Sequence, residues 1–344
     1  MKALKKIFIL ANVLLFIATM MSYLAPYINP VKVWVFPFFA TAFLWLLLCN
    51  FVFIIGWLLL KNKLWLLSFL AILLGLPYFG SYFNFSFQNP QADQLSIMSY
   101  NIGALIHSEQ WKKNQQTCKK QFTSFIKQAG RPDILCLQES PFKTLLKDNL
   151  HYQHSFRKAG LFILSDFPFE DKGVLNFPNT SNRIIWADVK VKEQILRVIN
   201  IHLQSNKVSE QTEDLVNNVD LAEKETWKGM RSVIGKVKHA TAMRTMQAEM
   251  AQKFIDSSPH PVILAGDFND TPLSYTYSLM SCNLQDAYVE KGSGLGTTYA
   301  GDIPGLRIDY IMGSEEVEFA SYTCSKVDFS DHYPIHCHFD ISSN

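Results

Sequence analysis

The first 83 residues contain no aspartate, no glutamate and no arginine; six lysines (Lys2, Lys5, Lys6, Lys32, Lys61 and Lys63) carry all their charge. A stretch so poor in charge cannot present the polar face that a water-soluble domain needs. The remainder lacks a basic excess. Residues 84–344 hold all 30 acidic residues against 26 basic ones, a formal charge of −4, although the whole chain stands at +2. A domain that lives on phosphate-backbone contacts usually carries a basic footprint, and this one has none overall. Cysteine is scarce and scattered. Cys49 lies in the apolar part, and Cys118, Cys136, Cys282, Cys324 and Cys337 show no CxxC spacing. An odd five cannot all pair, so buried free thiols are expected rather than a disulfide framework.

What the first part does have is length. Ile7 to Ile28, Val33 to Leu60 and Leu64 to Phe87 are uncharged, and about 20 apolar residues cross a bilayer core. Three transmembrane helices are expected, near 7–28, 33–60 and 64–83, with Tyr23, Tyr27, Tyr78 and Tyr82 as an interfacial belt. No small-residue cleavage site closes the first run, as a signal peptide would require. Lysines at the start and between the second and third runs put the N-terminus in the cytoplasm by the positive-inside rule. Three crossings then place the large domain outside, periplasmic in a double-membrane cell. No ionisable residue sits within the runs, which argues against transport.

Residues 84–94 read as a polar linker, and 95–344 as one domain. Strand-like runs are LSIMSY (95–100), DILCLQ (133–138), LFILS (161–165), IIWADVKV (184–191), ILRVINIHL (195–203), PVILAG (261–266), RIDYIM (307–312) and HYPIHCHFDI (332–341). One-face helical spacing links Cys118, Phe122, Phe125, Ile126 and Ala129, and again Met243, Met246, Met250 and Phe254. Strands with interleaved helices over about 250 residues predict an α/β sandwich of two packed sheets. Residues 207–240 form a charged, helix-like insertion, read as a solvated face or, more sharply, a surface for anionic lipid or substrate.

Several strands end in carboxylates, amides or imidazoles: Asn101, Glu139, Asn200 with His202, Asp267 with Asn269, Asp309, and Asp331 with His332. Buried polar groups must find partners, so such endings make sense where they converge on one cleft. Alternation along 195–203 puts Asn200 and His202 on one face and the isoleucines on the other. Oxygen-rich donors without clustered cysteine suit Mg²⁺ or Mn²⁺ better than zinc.

These pieces resemble the endonuclease/exonuclease/phosphatase superfamily. SYN (99–101), LQE (137–139), GLFILSDFP (160–168), NIHL (200–203), GDFN (266–269), RIDYI (307–311) and SDHYP (330–334) occur in that family's order. The resemblance implies a four-layer α/β/β/α sandwich with its site at one end of the sheets. It implies a metal-dependent phosphoesterase, with Glu139 as principal metal ligand and Asn101 and Asp331 completing or supporting the site. It further implies that Asp267 orients or deprotonates the attacking water and that Asn269 positions it. Asp309 would pair with His332, and His202 would donate to a phosphate oxygen or the leaving group. Either Asp267 or His332 would be the base. His202 resembles members that act on DNA backbone, sphingomyelin or inositol phosphates, and leans away from abasic-site repair. The sequence departs from the pattern at Asp166, where a basic residue is typical.

The expected partners are a phosphoester (a lipid headgroup, a small phosphoester or nucleic acid) and the lipid bilayer; no protein partner is implied. A membrane-anchored nuclease and a non-catalytic module on the same fold are the competing readings, and the module would be favoured by loss of Glu139, Asp267 or His332. In His336-Cys337-His338, strand alternation sets Cys337 apart from the histidines, so the three cannot share an ion. GSGLG at 292–296 lacks the features of a phosphate cradle. Arg244 reads as a surface helical residue, and Arg307 as lying beside the cleft.

Overall fold

The computed structural model describes residues 2–342 apart from 89, 92, 106–108, 142–148, 207–223 and 302. The chain folds as two units. One comprises Met1–Tyr82, Asn206–Thr245 and Asp270–Leu279; the other comprises Phe83–Ser205, Met246–Asn269 and Met280–Asn344.

In the first unit the apolar runs become α1 (Lys2–Leu24), α2 (Phe36–Thr41), α3 (Phe43–Leu59), α4 (Trp65–Leu74) and α5 (Leu76–Phe79). Among the described residues only Ala3–Tyr27, with 25 residues, is long enough to cross a membrane unaided, so the expectation of three full-length spans is corrected to one. Breaks explain the shortening: the second run is split at Ala42, between α2 and α3, and prolines act on it and on the third. A proline ring clashes with the carbonyl four residues back, so Pro37 keeps Val33–Val35 out of the second helix and Pro77 breaks the third run at Gly75. The helices are nevertheless locked together by buried polar contacts. Trp57 Nε1 donates to Asn12 Oδ1 at 2.8 Å, and Asn12 Nδ2 donates to Ser68 Oγ at 2.6 Å. Asn50 Nδ2 donates to Thr19 Oγ1 at 2.8 Å, and Tyr23 OH donates to the Ala71 carbonyl at 2.8 Å.

The second unit contains fourteen strands among the described residues. The first seven are β1 (Phe83–Phe85), β2 (Leu95–Asn101), β3 (Ile134–Gln138), β4 (His154–Lys158), β5 (Leu161–Ser165), β6 (Phe169–Asn176) and β7 (Arg183–Val191). The others are β8 (Gln194–His202), β9 (Val262–Asp267), β10 (Gln285–Asp286), β11 (Ser293–Leu295), β12 (Asp309–Gly313), β13 (Val317–Cys324) and β14 (Ile335–Ile341). They form two six-stranded sheets, ordered β13-β14-β2-β3-β5-β4 and β10-β12-β9-β8-β7-β6, plus the pair β1-β11. Both large sheets are mixed: β2 runs parallel to β3, and β8 runs parallel to β9. The segment read as a linker is therefore corrected in part, since Phe83–Phe85 is a strand paired with β11.

Alternation sorts the side chains into layers. Ile97, Ile134, Cys136 and Ile163 of one sheet meet Ile185, Val198, Ile263 and Ile311 of the other in a central core. The intervening residues Met98, Tyr100, Leu135 and Leu137 point outward and pack on Cys118, Phe122 and Ile126 of the helix Gln115–Gln128. That helix starts where Asn114 Oδ1 accepts from the Gln116 and Thr117 amides, an N-cap. On the opposite side Phe254 of the long helix Lys224–Asp256 packs on Trp186 of β7. The order is helix, sheet, sheet, helix. The insertion expected at 207–240 is helical from Lys224; its 207–223 part lies outside the described residues. All six cysteines are free, and Cys337 is buried in the central core, away from His336 and His338. Asp166 also finds its explanation: it takes both Arg131 guanidinium nitrogens, at 2.7 and 2.6 Å, and so holds a loop.

Candidate active site

Along every central strand the inter-sheet core becomes polar toward one end. Ile97 gives way to Ser99 and Asn101, Cys136 to Gln138, Val198 to Asn200 and His202, and Ala265 to Asp267. Register brings these endings level. His202 pairs with Asp267 across β8 and β9, and Asp267 with Asp309 across β9 and β12. Gly266 makes the β8–β9 approach possible, because a Cβ there would run into the Ile201 carbonyl.

Asp267 is the hub and is fully buried. Its Oδ2 accepts from Asn101 Nδ2 and Asn269 Nδ2, both at 2.9 Å, and its Oδ1 accepts from the Asn269 amide at 2.7 Å. The same oxygen, Oδ2, lies 3.6 Å from His202 Nε2 and 3.8 Å from His332 Nε2. His332 Nδ1 meets Asp309 Oδ2 at 2.9 Å. Thr298 Oγ1 tethers that strand by accepting from the Ile308 and Asp309 amides. Glu139 is different. Its side chain is 42% exposed and lies 3.4 Å from His202 Nε2. Glu139 and Asn269 both sit at positive φ, 49° and 54°; residues there store of order 1–3 kcal/mol each.

Burial works to lower the His332 pKa, but Asp309, Asp267 and Asp331 outweigh it and hold the ring up to about 10. Burial and Asp267 push Asp309 up to about 6 against the pull of His332. The surrounding carboxylates thus favour the charged form of the ring. The imidazolium presents Nε2–H toward the cleft, and Asp309 fixes the ring through Nδ1.

The structure thus gathers His202, Asp267, Asn269, Asp309 and His332, with Glu139 beside His202. Asn101 is engaged with Asp267 and, through Oδ1, with the Gly103 amide. Asp331 accepts from Ser330 Oγ and stands next to His332. Ligand atoms of Asp267, Asp309 and His332 lie within 4.8 Å of one another. The carboxylates of Asp267 and Asp309, with the half-exposed Glu139 beside His202, are oxygen donors of the kind that fits a hard divalent cation.

Arg244 is not the surface residue expected, and Arg307, expected beside the cleft, is committed to partners of its own. Arg244 is buried and bonds Asn206 and Asp270, and Arg307 is buried against Asp286 and stacked on the Tyr288 and Tyr310 rings. Sequence reading missed a buried bridge between the sheets. Gln138 Nε2 donates to Ser99 Oγ and Asn200 Oδ1, and Asn200 Nδ2 donates to the Leu137 and Phe162 carbonyls. Its signal was available: polar residues on the inward period of β2, β3 and β8. Thr298 gave no signal, because only the loop's path brings it under Asp309.

A family model described as "Endonuclease/Exonuclease/phosphatase family" matches residues 98–332, and one described as "Domain of unknown function (DUF8431)" matches residues 5–82. Among curated proteins none matches the chain. Among solved structures, humanized D. rerio TDP2 is similar at 21% identity, with 72% of this chain and 99% of that one covered and a TM-score of 0.52. A Bacteroides thetaiotaomicron endonuclease/exonuclease/phosphatase family protein is similar at 18% identity over 74% of this chain and 100% of that one, TM-score 0.52. The human Nocturnin catalytic domain, solved with bound sulfate, is similar at 20% identity over 75% and 98%, TM-score 0.51. At these identities the likeness speaks for the fold.

Proposed function

The chain belongs to the endonuclease/exonuclease/phosphatase family, and from that premise we propose that it is a membrane-anchored, Mg²⁺- or Mn²⁺-dependent phosphoesterase whose catalytic unit lies outside the cytoplasm. Family members are hydrolases of phosphoesters and generally depend on divalent metals. The observation that carries the reading is the buried Asp267, which faces two imidazole Nε2 atoms at 3.6 and 3.8 Å beside the half-exposed Glu139.

Glu139 would hold the ion, with Asp331 and Asn101 in support. The bound ion supplies charge neutralisation at the phosphate. Asp267, held by three donors, orients the attacking water and takes its proton. Asn269 keeps that carboxylate fixed. His332, charged and fixed by Asp309, grips a phosphate oxygen and stabilises charge that builds in the transition state. His202 donates to the leaving oxygen.

The anchor reading rests on inside-out sorting. Asn12, Thr19, Asn50 and Ser68 are buried while Leu10, Leu14, Leu48, Phe51, Leu70 and Leu73 are exposed, as suits a bundle solvated by lipid. We assign the apolar helices to the membrane as one bundle in which α1 alone spans unaided and the shorter helices are accommodated by local thinning, and the lysines keep the N-terminus cytoplasmic.

The full chain, purified in detergent, should hydrolyse bis-p-nitrophenyl phosphate with Mg²⁺ or Mn²⁺ and stop in EDTA. Activity that survives EDTA, or that persists undiminished in Glu139→Ala, would sink the mechanism. A panel of lipid phosphoesters, nucleotides, DNA and RNA then selects the substrate.

A further inference from the structure

Within the catalytic unit, large apolar side chains are kept inside with few exceptions. Among the described residues of this unit the exposed ones are Phe83, Phe85, Phe87, Leu295 and Ile303. Four of these five fall on one feature, the β1–β11 pair and its continuation. Phe83 pairs with Leu295 across that sheet, and the Phe83 and Phe85 rings lie 4.8 Å apart.

The alternation is strict. Asn84 Nδ2 donates to the Tyr288 and Val289 carbonyls at 2.9 and 2.6 Å. The Ser86 amide donates to the Gly292 carbonyl at 3.1 Å. Gln88 Nε2 donates to the Lys291 and Tyr322 carbonyls at 2.8 and 2.7 Å. The even residues therefore pin the strap to the unit, and the odd ones project three phenylalanines away from it, at 44%, 79% and 99% exposure, beside Leu295 at 54%. A bare aromatic cluster on an otherwise well-sorted surface marks a contact with something apolar.

We propose that this strap is a bilayer-docking face, lodged in the headgroup region of the membrane that holds the chain's own anchor, and that the active site accordingly works on phosphoesters presented by lipids. The inference rests on the phosphoesterase and anchor readings above. Chain continuity selects the bilayer as occupant: only Gly80, Ser81 and Tyr82 separate the end of α5 from Phe83. Phenylalanine with leucine also suits an interfacial contact better than a buried protein seam lacking any charge pair. The link to the site lies within one unit. Four residues beyond Leu295, Tyr299 forms a β-bridge with His332, and four residues span at most about 14 Å. The Tyr299 ring stands edge-on to the His332 ring, 5.4 Å between centroids. Docking the strap thus holds one wall of the cleft near headgroup depth.

The test uses the full chain in phosphatidylcholine–phosphatidylglycerol bilayers. Two substrates share a reacting group: hexadecyl p-nitrophenyl phosphate in the bilayer and bis-p-nitrophenyl phosphate in water. The double variant Phe85→Ser/Phe87→Ser, at positions too exposed to support folding, should lower turnover of the bilayer ester about tenfold and leave the soluble ester unchanged. Ile303→Ser should alter neither. In parallel, p-benzoylphenylalanine placed at 85 or 87 should photocrosslink to lipid, while the same group at 303 should not. Equal turnover of both esters by wild type and double variant, without lipid adducts at 85 and 87, overturns the proposal. Adducts to a second copy of the chain in place of lipid overturn it as well. If wild type cleaves neither ester, the phosphoesterase reading is what has failed, and the adducts still decide docking.

Discussion

In the N-terminal unit Asn12, Thr19, Asn50 and Ser68 are buried while leucines and phenylalanines cover the outside. In the catalytic unit the burial is reversed, with Ile185, Val198, Ile263 and Ile311 at the centre and charge outside. The polar atoms buried in the first unit are joined in pairs and short chains, as the proposed lipid surroundings, which offer hydrogen bonds no alternative partner, would require. In the catalytic unit some pair off likewise, as Asp188 does with Arg197, but Asn101, His202, Asp267, Asp309 and His332 gather at one end of the sandwich, where they can meet a ligand. The same chemical group, a buried amide, thus locks helices in one unit and orients a carboxylate in the other. This contrast predicts different responses to the same kinds of damage.

The largest effect should come from the site. His332→Ala and Asp267→Ala should each lower kcat/KM on bis-p-nitrophenyl phosphate by about 10³-fold or more; each also leaves buried partners unpaired and lowers the thermal transition, so the loss is read at a temperature where the variant is folded. A loss of less than tenfold for either would detach the hub from the chemistry. The second effect is structural. Asn200→Leu removes donors from the Leu137 and Phe162 carbonyls and an acceptor from Gln138, leaving buried groups unpaired at a cost of about 3 kcal/mol. Thermal unfolding should register this as a clear fall in Tm, and activity should fall with it, because β3 carries Glu139 and β8 carries His202.

How much of this was legible beforehand follows from the physical reach of each signal. LFILS at 161–165 forms a strand with those bounds, and ILRVINIHL differs by one residue at each end, because period-2 apolar runs bounded by turns are local. His202, Asp267 and Asp309 were each visible as polar ends of apolar strands. Their arrival at one level depends on register, which no single run contains. Strands β4, β6 and β13 were missed: HSFRK, FEDKGVLN and VEFASYTC lack a clean apolar face and become strands through their neighbours. Arg244 was misread as a surface residue because helical spacing alone does not reveal Asp270 beside it. The anchor's length was overread because Pro37 and Pro77 received too little weight against hydropathy.

A smaller effect should appear with acid. His336, half-buried beside His338, has its pKa lowered to about 4, chiefly by desolvation and then by that neighbour. Above pH 6.5 the ring is neutral folded or unfolded. Between 6.5 and 4 the unfolded chain binds a proton that the folded chain refuses, so stability falls as pH falls. By pH 4.5 the loss should reach about 2 kcal/mol. His336→Gln should therefore flatten the fall in Tm between pH 7 and 4.5; an unchanged slope would mean that the ring is not the responsible group.

The smallest effect probes the anchor. Asn12 bridges α1 to α3 through Trp57 Nε1 and to α4 through Ser68 Oγ. Asn12→Leu puts an apolar side chain of similar size in place of the amide and leaves the indole N–H and the hydroxyl to find other partners. A polar contact of this kind inside a lipid-solvated bundle contributes about 1 kcal/mol, less than a buried amide in a water-solvated core, because helices separated in lipid also pair their polar groups. The variant should thus lower thermal stability slightly and leave hydrolysis of a soluble ester intact. If the first unit were instead a water-facing bundle, the same substitution would strand the Trp57 N–H and the Ser68 hydroxyl in a dry core and cost about 3 kcal/mol, as at Asn200. The size of that change, read in detergent and again in bilayers, separates the two solvents more sharply than any change at the active site.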